Sequence, residues 1–175
     1  TDMTNMFNGA SSFNQDISNW NVSAVTNMTN MFKDASDFNQ DISNWDISSV
    51  TNMSGMFDGE TGLSSINKYA IGKSFYNQKP DLWTYNWGDA WIPENRDELD
   101  EAISAWIDDD TAATNTYGDI GDWDVSKITD MSGLFVDKDS FNSDISTWNV
   151  SNVTNMSNMF NGASSFNQDI STWNV

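Results

Sequence analysis

The residues here that could do chemistry are carboxylates. Asp and Glu number 26 against 7 Lys and Arg, and histidine and cysteine are both absent. Without them the usual general base and the Ser–His and Cys–His nucleophilic pairs are unavailable. No phosphate-binding glycine loop appears. What acidic residues can do alone is hold a hard cation or act as paired carboxyls on a glycoside. Asp137, Asp139 and Asp144, with Asn142, cluster in sequence and are candidate calcium ligands, as are Asp119, Asp122 and Asp124. Neither run has the glycine and closing glutamate of an EF-hand loop. Most acids recur at one place in a repeat, as Asp16, Asp41, Asp144 and Asp169 do. Periodic placement suits a structural role better than one active site, so the chain reads as a non-enzyme with no cofactor except calcium.

The same repetition defines candidate contact surfaces. Asp16/Ser18, Asp41/Ser43, Asp144/Ser146 and Asp169/Ser171 should project alike from neighbouring repeats, as a polar stripe on the sheet face that is solvated or binds a partner or calcium. Asn14, Asn39, Asn142 and Asn167 should stack as an asparagine ladder, each side chain bonding backbone in the next repeat. Trp83, Tyr85, Trp87 and Trp91 alternate. Trp83 and Trp87 could stack sugars, or the group could plug the end of an array. Asn21, Asn27, Asn52, Asn149, Asn152 and Asn155 lie in N-x-S/T sequons, which the repeat generates by itself.

The elements that must position these residues come from one recurring unit, Val25 to Ser49, VTNMTNMFKDASDFNQDISNWDISS. Phe7, Phe32 and Phe57 are spaced by 25 residues, as are Trp123, Trp148 and Trp173. Such a period signals an array in which no unit buries its apolar face alone. Thr26 is a good helix N-cap, and Met28, Met31, Phe32 and Ala35 follow at i, i+3, i+4 and i+7, predicting a two-turn helix. Asp41 to Trp45 predicts a short strand, followed by a turn through Asp46 to Ser49. Alternating helix and strand predicts a parallel α/β solenoid with about 4.8 Å between coils.

The phrases VTNMSGMFDG at Val50 and VTNMSNMFNGASSFNQDISTWNV at Val153 resemble a bacterial surface-protein repeat. It is that of BspA-like, leucine-rich-repeat-like proteins and of Listeria and Mycoplasma lipoproteins. The resemblance covers about two-thirds of the chain. It implies a leucine-rich-repeat-like solenoid on an exported or cell-surface protein, and no settled activity. Residues 60–92, with a helix from about Ser64 to Phe75 and an apolar face of Leu63, Ile66, Ala70 and Ile71, resemble the C-terminal cap of such an array. Residues 93–118, with Asn95 and Glu98 as a capping box and a helix ending near Asp108, resemble an N-terminal cap. The chain then divides into a repeat block at 1–59, its cap at 60–92, a new cap at 93–118 and a second block at 119–175. The boundary would lie near Ile92 and Pro93. One solenoid with a large insertion between Gly59 and Asp119 is the other arrangement.

The net charge of −19 argues against nucleic acid and anionic membrane surfaces as partners. No apolar run is long enough to span a bilayer. The chain starts and stops inside a repeat, which suggests a segment of a longer protein. Three residues after Val175 would bring Thr1 into register, as expected of end-to-end self-association, of further copies of the block, or of any array cut at one phase. The expected function is that of an extracellular structural and adhesive rod or filament component at the cell surface. The alternative is a recognition module that binds a host protein or glycan through the sheet face or the Trp-rich cap.

Overall fold

The computed structural model describes residues 1–59 and 61–175. It forms two compact units, Thr1–Asp89 and Ala90–Val175.

The repeats are not the expected α/β solenoid of the leucine-rich-repeat kind. Among the described residues no repeat contains an α-helix, no sheet forms, and strand pairing is limited to isolated parallel bridges, Asp2↔Asn27↔Asn52 and Asp130↔Asn155. Turns occupy the places of both predicted elements. Met31 donates its amide to the Met28 carbonyl and Ala35 donates to Phe32, closing two successive β-turns. Asn30 (φ 53°) and Asp34 (φ 56°), the third residue of each turn, are left-handed. An L-residue run that turns left-handed at every fourth position cannot continue as an α-helix. The predicted strand from Asp41 to Trp45 is likewise replaced by a turn, closed by Trp45 on Ile42, and the turn predicted through Asp46 to Ser49 is present, closed by Val50 on Ile47. Thr26 is no N-cap; its amide and hydroxyl both reach the Thr1 carbonyl of the preceding repeat.

Successive repeats join through alternate amides. Met3, Asn5, Phe7 and Gly9 donate to Asn27, Thr29, Met31 and Lys33 at 2.8–2.9 Å, and Met28, Asn30, Phe32 and Asp34 donate onward at 2.8–3.0 Å. Met131, Gly133, Phe135 and Asp137 repeat the pattern in the second unit. Met28, Met31, Phe32 and Ala35 all point inward and are fully buried. In each coil that keeps both phenylalanines and the tryptophan, these three rings stack internally and on their neighbours. Phe32 lies 4.1 Å from Phe38, 5.4 Å from Phe7 and 5.6 Å from Phe57, ring centre to ring centre.

In the first unit, α1 (Ser65–Gln78) takes over where the third repeat breaks off. Ser64 caps it, and its buried face is Tyr69, Ile71, Gly72 and Phe75, rotated from the predicted face. In the second unit α2 (Arg96–Asp108) starts at the predicted cap, with the Asn95 side chain accepting from the Glu98 amide. Next comes α3 (Asp110–Tyr117), beyond the predicted helix end near Asp108. Asp109 ends one helix and caps the next, and Gly118, at φ 79°, closes α3. Trp91 does not join the aromatic tail of residues 60–92. It packs edge-on against Tyr117 and Trp123 in the second unit.

Candidate interaction surfaces

The Asp–x–Ser pairs are local turn closures. Asp16, Asp41, Asp144 and Asp169 each accept from the amide two residues on, at Ser18, Ser43, Ser146 and Ser171, over 2.8–2.9 Å. With no sheet, there is no sheet face for them to line. The four carboxylates are exposed in corresponding places of their repeats. The Ser18 hydroxyl and amide hold the Asp16 carboxyl below the usual Asp range. The Ser146 and Ser171 amides and hydroxyls do the same for Asp144 and Asp169, while Asp169 works against the effect at Asp144.

The asparagine ladder is present. The Asn14 side-chain oxygen accepts the Asn39 amide at 2.8 Å, Asn39 accepts the Ser64 amide at 2.9 Å, and Asn142 accepts the Asn167 amide at 3.0 Å. The ladder thus runs into the N-cap of α1. Gln78 extends the seal, donating to the Trp45 carbonyl and accepting the Ile47 amide, and Ser74 donates to the Ser43 carbonyl. Asn67, Ser74 and Gln78 went unrecognised in sequence, although their spacing, near i, i+7 and i+11, marks one polar face of a helix.

Trp83 and Trp87 are packing residues of the cap. Trp83 is 7% exposed and edge-on to Phe57 and Phe75. Trp87 is half-buried and stacks on Tyr85 at 4.8 Å. The Tyr85 hydroxyl accepts from the Phe57 amide and donates to Asp58. Burial, with Asp58 beside it, pushes that hydroxyl up to about 12.

Asp137, Asp139 and Asp144 do not converge. Asp137 is a left-handed turn residue leaning over Gly162, Asp139 accepts through its carbonyl from Ser165 in the next repeat, and Asp144 closes its own turn. Asp119 and Asp124 close turns at Gly121 and Ser126. Among the described residues no group of three or more acidic side chains is placed to hold a metal ion.

The least occupied surfaces are the faces of the first and last repeats. In the last, Met156, Met159, Phe160, Ile170, Trp173 and Val175 line an open apolar groove. In the first, Met6 is 49% and Trp20 37% exposed, although their counterparts Met31 and Trp45 are buried. Repeat register alone identifies these positions, because it shows which side chains an adjoining repeat covers.

Comparison with curated proteins and with solved structures finds no match. A family model described as "Mycoplasma protein of unknown function, DUF285" matches residues 1–79 and 98–175, the whole of both repeat blocks together with all of α1 and α3 and most of α2. The chain belongs to this DUF285 family.

Proposed function

We propose that the chain is a non-enzymatic, surface-exposed structural and adhesive module of the BspA-like kind, a rod or filament component outside the cell. The observation that carries this reading is the sameness of successive interfaces. One row of amides, one aromatic triad and one asparagine rung recur from coil to coil. Such repetition makes a stiff element whose length is set by repeat number. The carboxylates fit it: their hydrogen bonds close turns, and an acidic exterior keeps surfaces from associating at random. The aromatic cap fits it too, since Trp83 and Trp87 spend their faces on Phe57, Phe75 and Tyr85 and leave little ring for a sugar.

The test is immunogold labelling of source cells with antibody raised to the folded chain. Label on intact cells is expected. Label that appears only after permeabilisation would overturn the assignment.

A further inference from the structure

Within the second unit no coil precedes the one that begins at Asp119; α2 and α3 stand in that place. Between them and the coil lies a pocket of about 140 Å³, lined by Trp106, Ile107 and Asp110 and by residues 140–143. Asp110, Ser140 and Asn142 are exposed, so the pocket opens to solvent. Two amides of its lining, those of Ser140 and Asn142, have no acceptor among the described residues. In coils that follow another coil both are taken. Asp37 and Ser165, at the Ser140 register, donate to the Ser11 and Asp139 carbonyls of the coil before, at 3.0 and 3.1 Å. Asn39 and Asn167, at the Asn142 register, donate to the side-chain oxygens of Asn14 and Asn142, at 2.8 and 3.0 Å. The fold thus fills this pair of donors with amide carbonyls wherever it can.

The repeat text departs from itself at the same spot. The phrase FNQDIS of the other coils reads FNSDIS from Phe141. Gln40 and Gln168 reach back over the preceding coil, Gln40 to Asn14 and Gln168 to the Asn142 carbonyl. Ser143 is too short to fill the corresponding space, and its hydroxyl accepts the Trp106 indole N–H at 2.9 Å. The exchange of Gln for Ser leaves the pocket open.

We infer that this pocket takes the acetamido group of an N-acetylated amino sugar. The group's carbonyl accepts from Asn142 and Ser140, as Asn14 and Ser11 accept from Asn39 and Asp37 in the first unit. Its N–H donates to the Asp110 carboxylate, and its methyl lies against Phe141 and Ile107. The volume equals about four to five waters at about 30 Å³ each, room for that group and not for a whole sugar ring. The ring stays at the mouth, where Trp106 offers apolar surface and Ser140 a hydroxyl. A neutral ligand is the one that fits. The exposed run Asp108, Asp109 and Asp110 repels an anion, and the two N–H donors disfavour a cation. Such a ligand deepens the adhesive half of the proposed function; that biological use rests on the surface reading, and the binding itself does not.

The experiment is a titration of the isotope-labelled full chain followed by amide NMR. The probes are methyl N-acetylglucosaminide, methyl glucoside and N-acetylasparagine methylamide. The first is expected to shift the Ser140 and Asn142 amides and the Trp106 indole N–H, with a Kd of about 1 mM for a ligand of this size. The glucoside, which lacks the acetamido group, should leave them in place. Ser143→Gln restores the side chain that Gln40 and Gln168 carry at this register, so the fold should persist, checked by circular dichroism. It fills the pocket and should weaken binding at least ~10-fold. Asp110→Asn keeps the shape, removes the charged acceptor and should weaken binding several-fold. No shift, equal shifts with the glucoside, or variants that bind like the parent would overturn the assignment. So would preference for the asparagine derivative, which would make this a peptide site. Absence of binding would remove the pocket whatever the cell labelling shows, and label confined to permeabilised cells would remove the surface reading whatever the titration shows.

Discussion

Replacing Asn30 and Asp34 by alanine together separates the turn-built coil from a helix at the same place. In an α-helix, alanine is the better residue, and each replacement should add about 0.6 kcal/mol. Here both positions are left-handed, at φ 53° and 56°. A left-handed alanine costs ~1–2 kcal/mol, and Asn and Asp tolerate that region better. The expected loss is therefore about 1 kcal/mol per site and about 2 kcal/mol together, taking the sites as additive. For the Thr1–Asp89 unit this lowers the melting temperature by ~8–16 °C. Glycine at both positions should largely restore it, because Gly55 and Gly59 hold the same left-handed register one repeat on, at φ 65° and 79°. The assay is thermal unfolding by far-ultraviolet circular dichroism and tryptophan fluorescence, with the untouched Ala90–Val175 unit as internal reference. A raised melting temperature with deeper helical ellipticity in the alanine variant would refute the turn assignment.

Other predictions follow from the same contacts. Gly72→Ala should lower the stability of the first unit by ~1–3 kcal/mol despite the gain in helix propensity, because the added Cβ would meet the Trp87 backbone at 2.4 Å; unchanged urea unfolding would contradict the close packing of α1 on the cap. Phe32→Ala removes a fully buried ring stacked between Phe7 and Phe57 and should cost about 3–5 kcal/mol, read from the same unfolding curves. Hydrogen bonds hold the Asp16, Asp46, Asp144 and Asp169 carboxyls low in the folded chain. Their contribution is complete above the unfolded Asp value, near 3.9, and is lost as pH falls through the lower folded values. Replacing all four by Asn keeps the turn-closing oxygen, as Asn21 and Asn149 already do at the Asp46 register, so the parent should lose stability below about pH 4 relative to the variant. Parallel pH–melting curves would contradict that. Millimolar calcium should leave the melting temperature unchanged, since Asp137, Asp139 and Asp144 serve separate contacts; a rise reversed by chelator would show a site that forms on binding.

The burial pattern was legible in the sequence and the backbone that produces it was not. Met28, Met31, Phe32 and Ala35 face inward as their spacing predicts. Two tandem β-turns return the chain to the core at i, i+3, i+4 and i+7, as two helical turns would. The distinguishing signal lay between the apolar positions. Asn5, Asn30 and Gly55 exchange at one register, and Gly9, Asp34 and Gly59 at another, as left-handed sites require. The asparagine ladder was readable because identical residues at identical register must stack. The start of α2 was readable from Asn95 and Glu98, whereas α3 was hidden by Thr- and Asn-rich text of weak helix propensity and is marked only by Asp109 and Gly118. The Asp–x–Ser pairs looked like a stripe across strands because residues two apart share a strand face; the same spacing closes a turn through the side chain. Trp91 followed the alternation of Trp83, Tyr85 and Trp87 in sequence, but its partners Tyr117 and Trp123 come later in the chain.

The proposed role is that of a structural element outside the cell, built from identical stacked interfaces. Electron microscopy of the native, full-length protein as the cells release it tests that most directly. Filaments or rods with a regular axial repeat that carry antibody to this chain are expected. Labelled material found only as compact, isolated particles would contradict it.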